Sequence, residues 1–221
     1  GGSSGSRPPS NEEIGAAEAR RLFPVMSMDG VLGAVYLPTD GHLDPSGLAM
    51  ALAEGARRGG AAIRTGTRGR SIGVRDGRVR EVETSAGAIR TEIVVNAGGM
   101  YAPEIGRMAG VTIPLVPMAH QYLVTKPIDG VHPAIPMLRD PDHLVYFREE
   151  VGGLVAGGYE RAPAPWGLDG IPADFNHQLL QPDWERFGPI MEGAVHRVPA
   201  IGTAEIVRLI NGPEAFTPDG E

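Results

Sequence analysis

The chain has 221 residues, of which 42% are hydrophobic and 21% charged, enough for one large folded unit or two small ones. A net charge of −7 offers no footprint for nucleic acid or an anionic membrane surface, and the absence of cysteine excludes disulfides, thiolate nucleophiles and cysteine-held metals together. No apolar run reaches the ~20 residues of a membrane span and no basic-then-apolar leader is visible, so a cytoplasmic protein is the expectation.

Residues 1–12 are rich in glycine, serine and proline and read as a linker or tag. Ile14, Ala17 and Leu22 then share one side of a short helix that Pro24 ends, and residues 30–38 read as a strand or extended loop. The segment 44–60 is a well-punctuated helix: Asp44 can cap it, Pro45 suits its first turn, and Gly59-Gly60 stop it. Its inner face, Leu48, Ala51, Leu52, Gly55 and Ala56, is mostly small and is expected to lie against a sheet. A strand at 61–65 follows. Asp76-Gly77 and Ser85-Ala86-Gly87 are tight-turn signals that make an antiparallel meander. The apolar run Ile93-Val94-Val95 within 92–97 is expected to be a strand buried on both faces, parallel to 61–65.

Residues 116–126 alternate, with Met118, His120, Tyr122 and Val124 on one face. Residues 143–149 and 152–160 form a hairpin around Val151-Gly152, and 162–175 is a loop rich in proline and glycine. Trp184, Phe187, Met191 and Val195 have helical spacing, although Pro189 should kink or restart that helix. The segment from 203 opens as a strand and ends in a turn-rich tail.

Few residues announce chemistry. "IVVNAGGMYAPEIGRMAG" has the strand, glycine pair and helix with which a chain approaches a dinucleotide, but any parallel sheet needs such turns, and no G-x-G-x-x-G occurs. Asp140, Asp142 and His143, like His42 and Asp44, are spaced as turn and cap residues and not as a metal site. No G-x-S-x-G elbow is present. His120 and Tyr146 sit mid-strand among apolar neighbours, where a polar group needs a partner or a purpose.

Six segments occur in an order that resembles the sarcosine and dimethylglycine dehydrogenase/oxidase family: "YLPTDGHLDPSGLAMALAEGARRGGA", "IVVNAGGMYAPEIGRMAGV", "LVPMAHQYLVT", "MLRDPDHLVYFRE", "GGLVAGGYE" and "NGPEAFTPDGE". These are FAD-dependent amine oxidoreductases of the D-amino-acid-oxidase superfamily, and the resemblance runs from about residue 20 to the end. It implies a mixed α/β (α+β) fold, with a mixed-sheet substrate domain, flanking helices and an incomplete Rossmann-like FAD-binding portion. The implied layout is 13–43 as the start of the substrate domain, 44–115 as an inserted portion of the FAD domain, 116–211 as the substrate domain, and 212–221 as a return to the FAD domain. In that family the glycine fingerprint and the flavin-attached histidine precede "DGHLDP", and a further glycine-rich strand follows "TPDG". The expectation is therefore a central fragment, inactive alone and not retaining FAD, whose partners are a small N-methyl amine and the missing flanking segments. Self-association through a cut surface is a further expectation.

The resemblance carries over residue by residue. Gly69 stands where the family has a valine meeting the adenine end of FAD. Ala97 and Gly98 match the close approach to the cofactor, and Tyr101 replaces a tryptophan that packs on it. His120 and Tyr146 match the pair that handles the substrate amine, with Ala119 where a glutamate or glutamine often precedes the histidine. The chemistry gives these types a reason: hydride loss to flavin requires a neutral amine, and histidine and tyrosine can take up or relay its proton. A glycine-type substrate also brings a carboxylate, for which Arg148 and Arg139 are candidates. The reading from another class is a stand-alone domain that binds a small molecule or partner without redox chemistry.

Overall fold

The computed structural model describes residues 11–219, so residues 1–10 of the expected linker and the last two residues of the tail lie outside the described residues. Glu12, read as linker, instead opens the first strand. The chain divides into two compact units. One contains the chain up to His42, His120–Pro163 and Leu179–Gly212. The other contains Leu43–Ala119, Ala164–Gln178 and the chain from Pro213. The span 116–211 is thus distributed over both.

In the first unit, β1 (Glu12–Gly15) pairs antiparallel with β2 (Gly33–Tyr36), with α1 (Ala16–Leu22) between them in sequence. The main sheet is built on β6 (Val116–Thr125), which enters this unit at His120. It continues through β9 (Gly153–Gly158) and β8 (Val145–Glu150) to β7 (Leu138–Asp140), all antiparallel, and β11 (Ile206–Phe216) pairs with β6 as well. Strict alternation separates the faces. Leu123, Ala156, Phe147 and Leu138 are cross-strand neighbours on one side, and Tyr122, Gly157, Tyr146 and Arg139 form the adjacent row on the other. The first row is core: Leu123, Ala156 and Phe147 are fully buried with Phe23 and Phe187. The second face is only half-buried at His120, Tyr122 and Tyr146.

Helix α4 (Trp184–Arg197) closes that core. Phe187, Ile190, Ala194 and Val198 recur every three or four residues and are buried, whereas Trp184 is half-exposed. A Cβ on Gly193 would stand 3.0 Å from the His143 carbonyl and 3.1 Å from Val145, so glycine lets the helix lie close to β8. Pro189 neither restarts nor breaks this helix. It lies in the second turn, and both it and Glu185, whose carbonyl loses its helical donor, are exposed residues. The buried Gln121 ties the helix start to β6: its amide donates to the Asp183 carbonyl at 3.1 Å and accepts from the Asp183 N–H at 2.8 Å.

In the second unit, α2 (Pro45–Arg58) starts as expected, with Asp44 accepting from the Ser46 and Gly47 amides. The meander is β3 (Gly69–Arg75), β4 (Arg78–Thr84) and β5 (Gly87–Arg90). Asp76 and Gly77 take φ of 53° and 69°, the left-handed pair a two-residue hairpin demands. A turn over Gly99–Tyr101 leads into α3 (Ala102–Met108), and the short β10 (Ala164–Pro165) pairs with the start of β6.

Two expectations fail here. Neither 61–65 nor 92–97 is a strand, because neither has a ladder partner among the described residues and a strand exists only through its neighbour. Ile93 and Val95 are 78% and 84% exposed, and no residue of α2 is buried, so its small-residue face packs on no sheet within the described residues. No helix of the described residues is long and apolar enough to cross a membrane.

Candidate functional site

The half-buried face of the main sheet gathers the polar aromatic side chains. His120 and Tyr146 come from strands on either side of β9, and both reach the same third ring. The centroid of Tyr159 lies 5.6 Å from that of His120 and 6.0 Å from that of Tyr146, tilted by 38° and 51°. Tyr159 follows β9 and was not singled out in the sequence. Its position two residues after Gly157, on the face that carries Tyr146, was the available signal. Gly157 itself makes room, since a Cβ there would overlap the phenol of Tyr146. Tyr146 would not be placed this way without that glycine in the neighbouring strand.

The two arginine candidates part company. Arg148 lies on the same face but is held by Glu150, 2.7 Å away, so its charge is already matched. Arg139 stands directly opposite Tyr146 in the ladder and lies over the ring of Tyr159, with its guanidinium carbon 5.1 Å from the ring centroid. No carboxylate of the described residues lies in ion-pair range of it.

Gly69, Ala97, Gly98 and Tyr101 all belong to the second unit. Asn96 organises the turn: its carbonyl oxygen accepts from the Gly98 amide at 3.2 Å and its nitrogen donates to the Ala102 carbonyl at 3.0 Å. A Cβ on Gly98 would run into Ile105, while Ala97 is exposed. Bare, reachable backbone packed this closely on a helix suits the approach of a flat or pyrophosphate-bearing group. The phenol of Tyr101 donates to the Phe175 carbonyl, which fixes its ring. At Gly69 a Cβ would meet Val82 at 4.0 Å, an ordinary contact, so a larger residue fits and nothing local demands glycine.

The Asp140 region is structural, as its spacing suggested. Asp140 accepts from the amides of Asp142 and His143. Its other oxygen lies 2.7 Å from Arg197 Nε and 2.9 Å from His143 Nδ1. Burial opposes its ionisation, but Arg197 and His143 outweigh that and hold its carboxyl below the usual range. Arg197 also donates to the Ser27 and Asp29 carbonyls, which binds the N-terminal loop to the end of α4. The His143 ring stacks on His196 at 4.2 Å. No group of three or more metal-ligating side chains is assembled among the described residues.

A cavity of about 710 Å³ in the first unit is lined by Tyr159, Glu160, Arg161, His143, Arg186 and Ile190 among others. The Glu160 carboxylate oxygens are buried without a hydrogen-bond partner. Burial pushes its pKa up, against the opposing pull of Arg186.

Comparison with known proteins places this geometry in a family. The chain is 41% identical over 213 residues to mitochondrial sarcosine dehydrogenase of Mus musculus and 38% identical over 206 residues to mitochondrial dimethylglycine dehydrogenase of Rattus norvegicus. These alignments cover 93% and 90% of the chain but only 23% and 24% of the relatives, so the chain spans about a quarter of their length. Among solved structures, L-proline dehydrogenase from P. horikoshii superposes with a TM-score of 0.79 at 27% identity, over 95% of this chain and 54% of that one. The profile of the FAD dependent oxidoreductase family (DAO) matches residues 3–221, and the chain belongs to that family.

Proposed function

We propose that this chain is part of an FAD-dependent oxidoreductase that removes a hydride from an N-methyl group of a small amine of the sarcosine or dimethylglycine type. The observation that carries the reading is the convergence of His120 and Tyr146 on Tyr159, on the half-buried face of the main sheet. The names of the relatives, with identities near 40% across nine-tenths of the chain, support the substrate class.

In this reading His120 and Tyr146 receive the amine, take up or relay its ammonium proton and keep the nitrogen lone pair directed. An arginine on the same face holds the substrate carboxylate. Ala97, Gly98 and Tyr101 would hold FAD, with Gly69 contributing backbone only. Bound FAD supplies the hydride acceptor.

Because the chain spans about a quarter of the relatives' length, turnover is proposed for a longer polypeptide that contains it, working in the cytoplasm. Self-association through exposed apolar side chains such as Met50, Ile93 and Val95 belongs to the same proposal.

The test is anaerobic mixing of the full-length, FAD-loaded protein with sarcosine or dimethylglycine while the visible flavin band is followed. Bleaching is expected, and His120→Asn slows it on the order of 100-fold or more. A flavin that stays oxidised with every N-methyl amine overturns the reading. The 221-residue chain alone, given FAD and desalted, is expected to emerge colourless.

A further inference from the structure

We infer that Tyr159 is a positioning residue that aims Arg139 at the substrate carboxylate, and that Arg139, not Arg148, is the anchor that selects an amino acid over a plain amine. This inference rests on the amine-oxidation reading and names the missing half of its substrate site.

Four observations converge. First, Arg148 already has a carboxylate beside it: Glu150 lies 2.7 Å away and would compete with a ligand for the guanidinium, whereas Arg139 has no such competitor among the described residues. Second, Arg139 is exposed, has no acidic partner among the described residues, and lies over the face of Tyr159. A guanidinium held over an aromatic face and not engaged by a carboxylate still has N–H donors to offer, and a carboxylate can take two of them in a paired grip.

Third, the ring that carries Arg139 is the ring that His120 and Tyr146 also touch. With His120 at 5.6 Å and the guanidinium carbon at 5.1 Å from the Tyr159 centroid, histidine and guanidinium are at most about 11 Å apart. Even at that upper limit, two hydrogen bonds of about 3 Å each take up much of the distance, so a molecule bridging the two is only a few bonds long between amine and carboxylate. An N-methylated α-amino acid has that length. Fourth, the backbone register makes the arrangement reproducible. Arg139 is paired directly with Tyr146, and Tyr146 lies over Gly157, two residues before Tyr159.

The role of Tyr159 is therefore indirect. Its ring gives Arg139, an otherwise freely rotating surface side chain, a fixed seat, and this lowers the ordering cost when substrate binds. The phenol oxygen is not needed for that; the ring is.

The experiment uses the full-length, FAD-loaded protein and two ligands. Dimethylglycine reports turnover. Trimethylglycine, whose quaternary nitrogen has no lone pair to drive hydride loss, reports binding alone through its perturbation of the flavin spectrum. Arg139→Met is expected to raise the KM for dimethylglycine and the Kd for trimethylglycine by about 10- to 100-fold while kcat changes far less. Arg148→Met should move either constant by less than about threefold. Tyr159→Phe should behave as the parent protein, and Tyr159→Leu should raise both constants about tenfold.

If Arg148→Met weakens binding and Arg139→Met does not, the assignment of the anchor is wrong and the oxidation reading stands. If Arg139→Met weakens binding but Tyr159→Leu does not, the positioning role is wrong. A parent protein that reduces its flavin with no N-methyl amine removes the reading and this inference together. Arg139 and Tyr159 are both exposed, so loss of folding does not cloud the comparison.

Discussion

At Gly157 the absence of a side chain decides where a tyrosine goes. Tyr146 lies across that residue, and any Cβ would occupy the space of its phenol. Gly157→Ala is therefore expected to destabilise the protein by about 1–3 kcal/mol, read by urea denaturation, because either the central strand or the tyrosine must move. The same variant should separate Tyr146 from Tyr159, which near-ultraviolet circular dichroism would register. If stability and spectrum are unchanged, the close approach is not constraining either ring. At this scale sequence reading reached His120 and Tyr146 by strand alternation and family motif, since both signals are local. It could not reach Tyr159, or tell Arg139 from Arg148, because those distinctions depend on which cross-strand neighbours meet.

Among the elements, the β8–β9 hairpin carries a visible cost. Its two turn residues, Val151 and Gly152, take φ of 52° and 79°, and a β-branched side chain resists the left-handed region. Val151→Asn supplies a residue that tolerates this conformation and is expected to stabilise the fold by about 1 kcal/mol. An unchanged urea midpoint would mean that the turn relaxes the strain by other means. Glu149 already supports the turn by accepting from the Gly152 amide at 2.7 Å. The turn was legible in sequence as a break between two apolar runs. The meander was legible for the same reason, since Asp76-Gly77 encodes its own geometry. The failures were 61–65 and 92–97: an apolar run states a tendency to be covered, and a strand needs a partner that the run itself does not specify.

For the molecule as a whole, two buried carboxylates set opposite pH dependences. Asp140, held ionised by Arg197 and His143, contributes stability that is complete above its unfolded pKa of about 4 and is lost as pH falls through its lower folded value. Glu160 has its folded value raised by burial. Its contribution is therefore complete below the ordinary glutamate range and is lost as pH rises through the raised value. Denaturation midpoints measured from about pH 3 to 8 should fall at the acid end, and Asp140→Asn should remove that fall. The same substitution should cost about 3–5 kcal/mol at neutral pH, because it leaves Arg197 buried with no counter-charge. Glu160→Gln should instead flatten the upper end of the profile. A parent profile without slope in both regions would contradict both assignments.

By itself the sequence determined the family, the capped helix at 45–58, the hairpins and the mid-strand positions of His120 and Tyr146. Each of these follows from spacing within a few residues or from motifs read in order. The tertiary structure alone decided which strand lies beside which, and with it the meeting of His120, Tyr146 and Arg139 around Tyr159. It also decided that Arg148 is neutralised and that Ile93 and Val95 remain uncovered. The physical reason is that ring contacts, ion pairs and strand ladders are relations between segments distant in the chain, and local propensity carries no information about the partner.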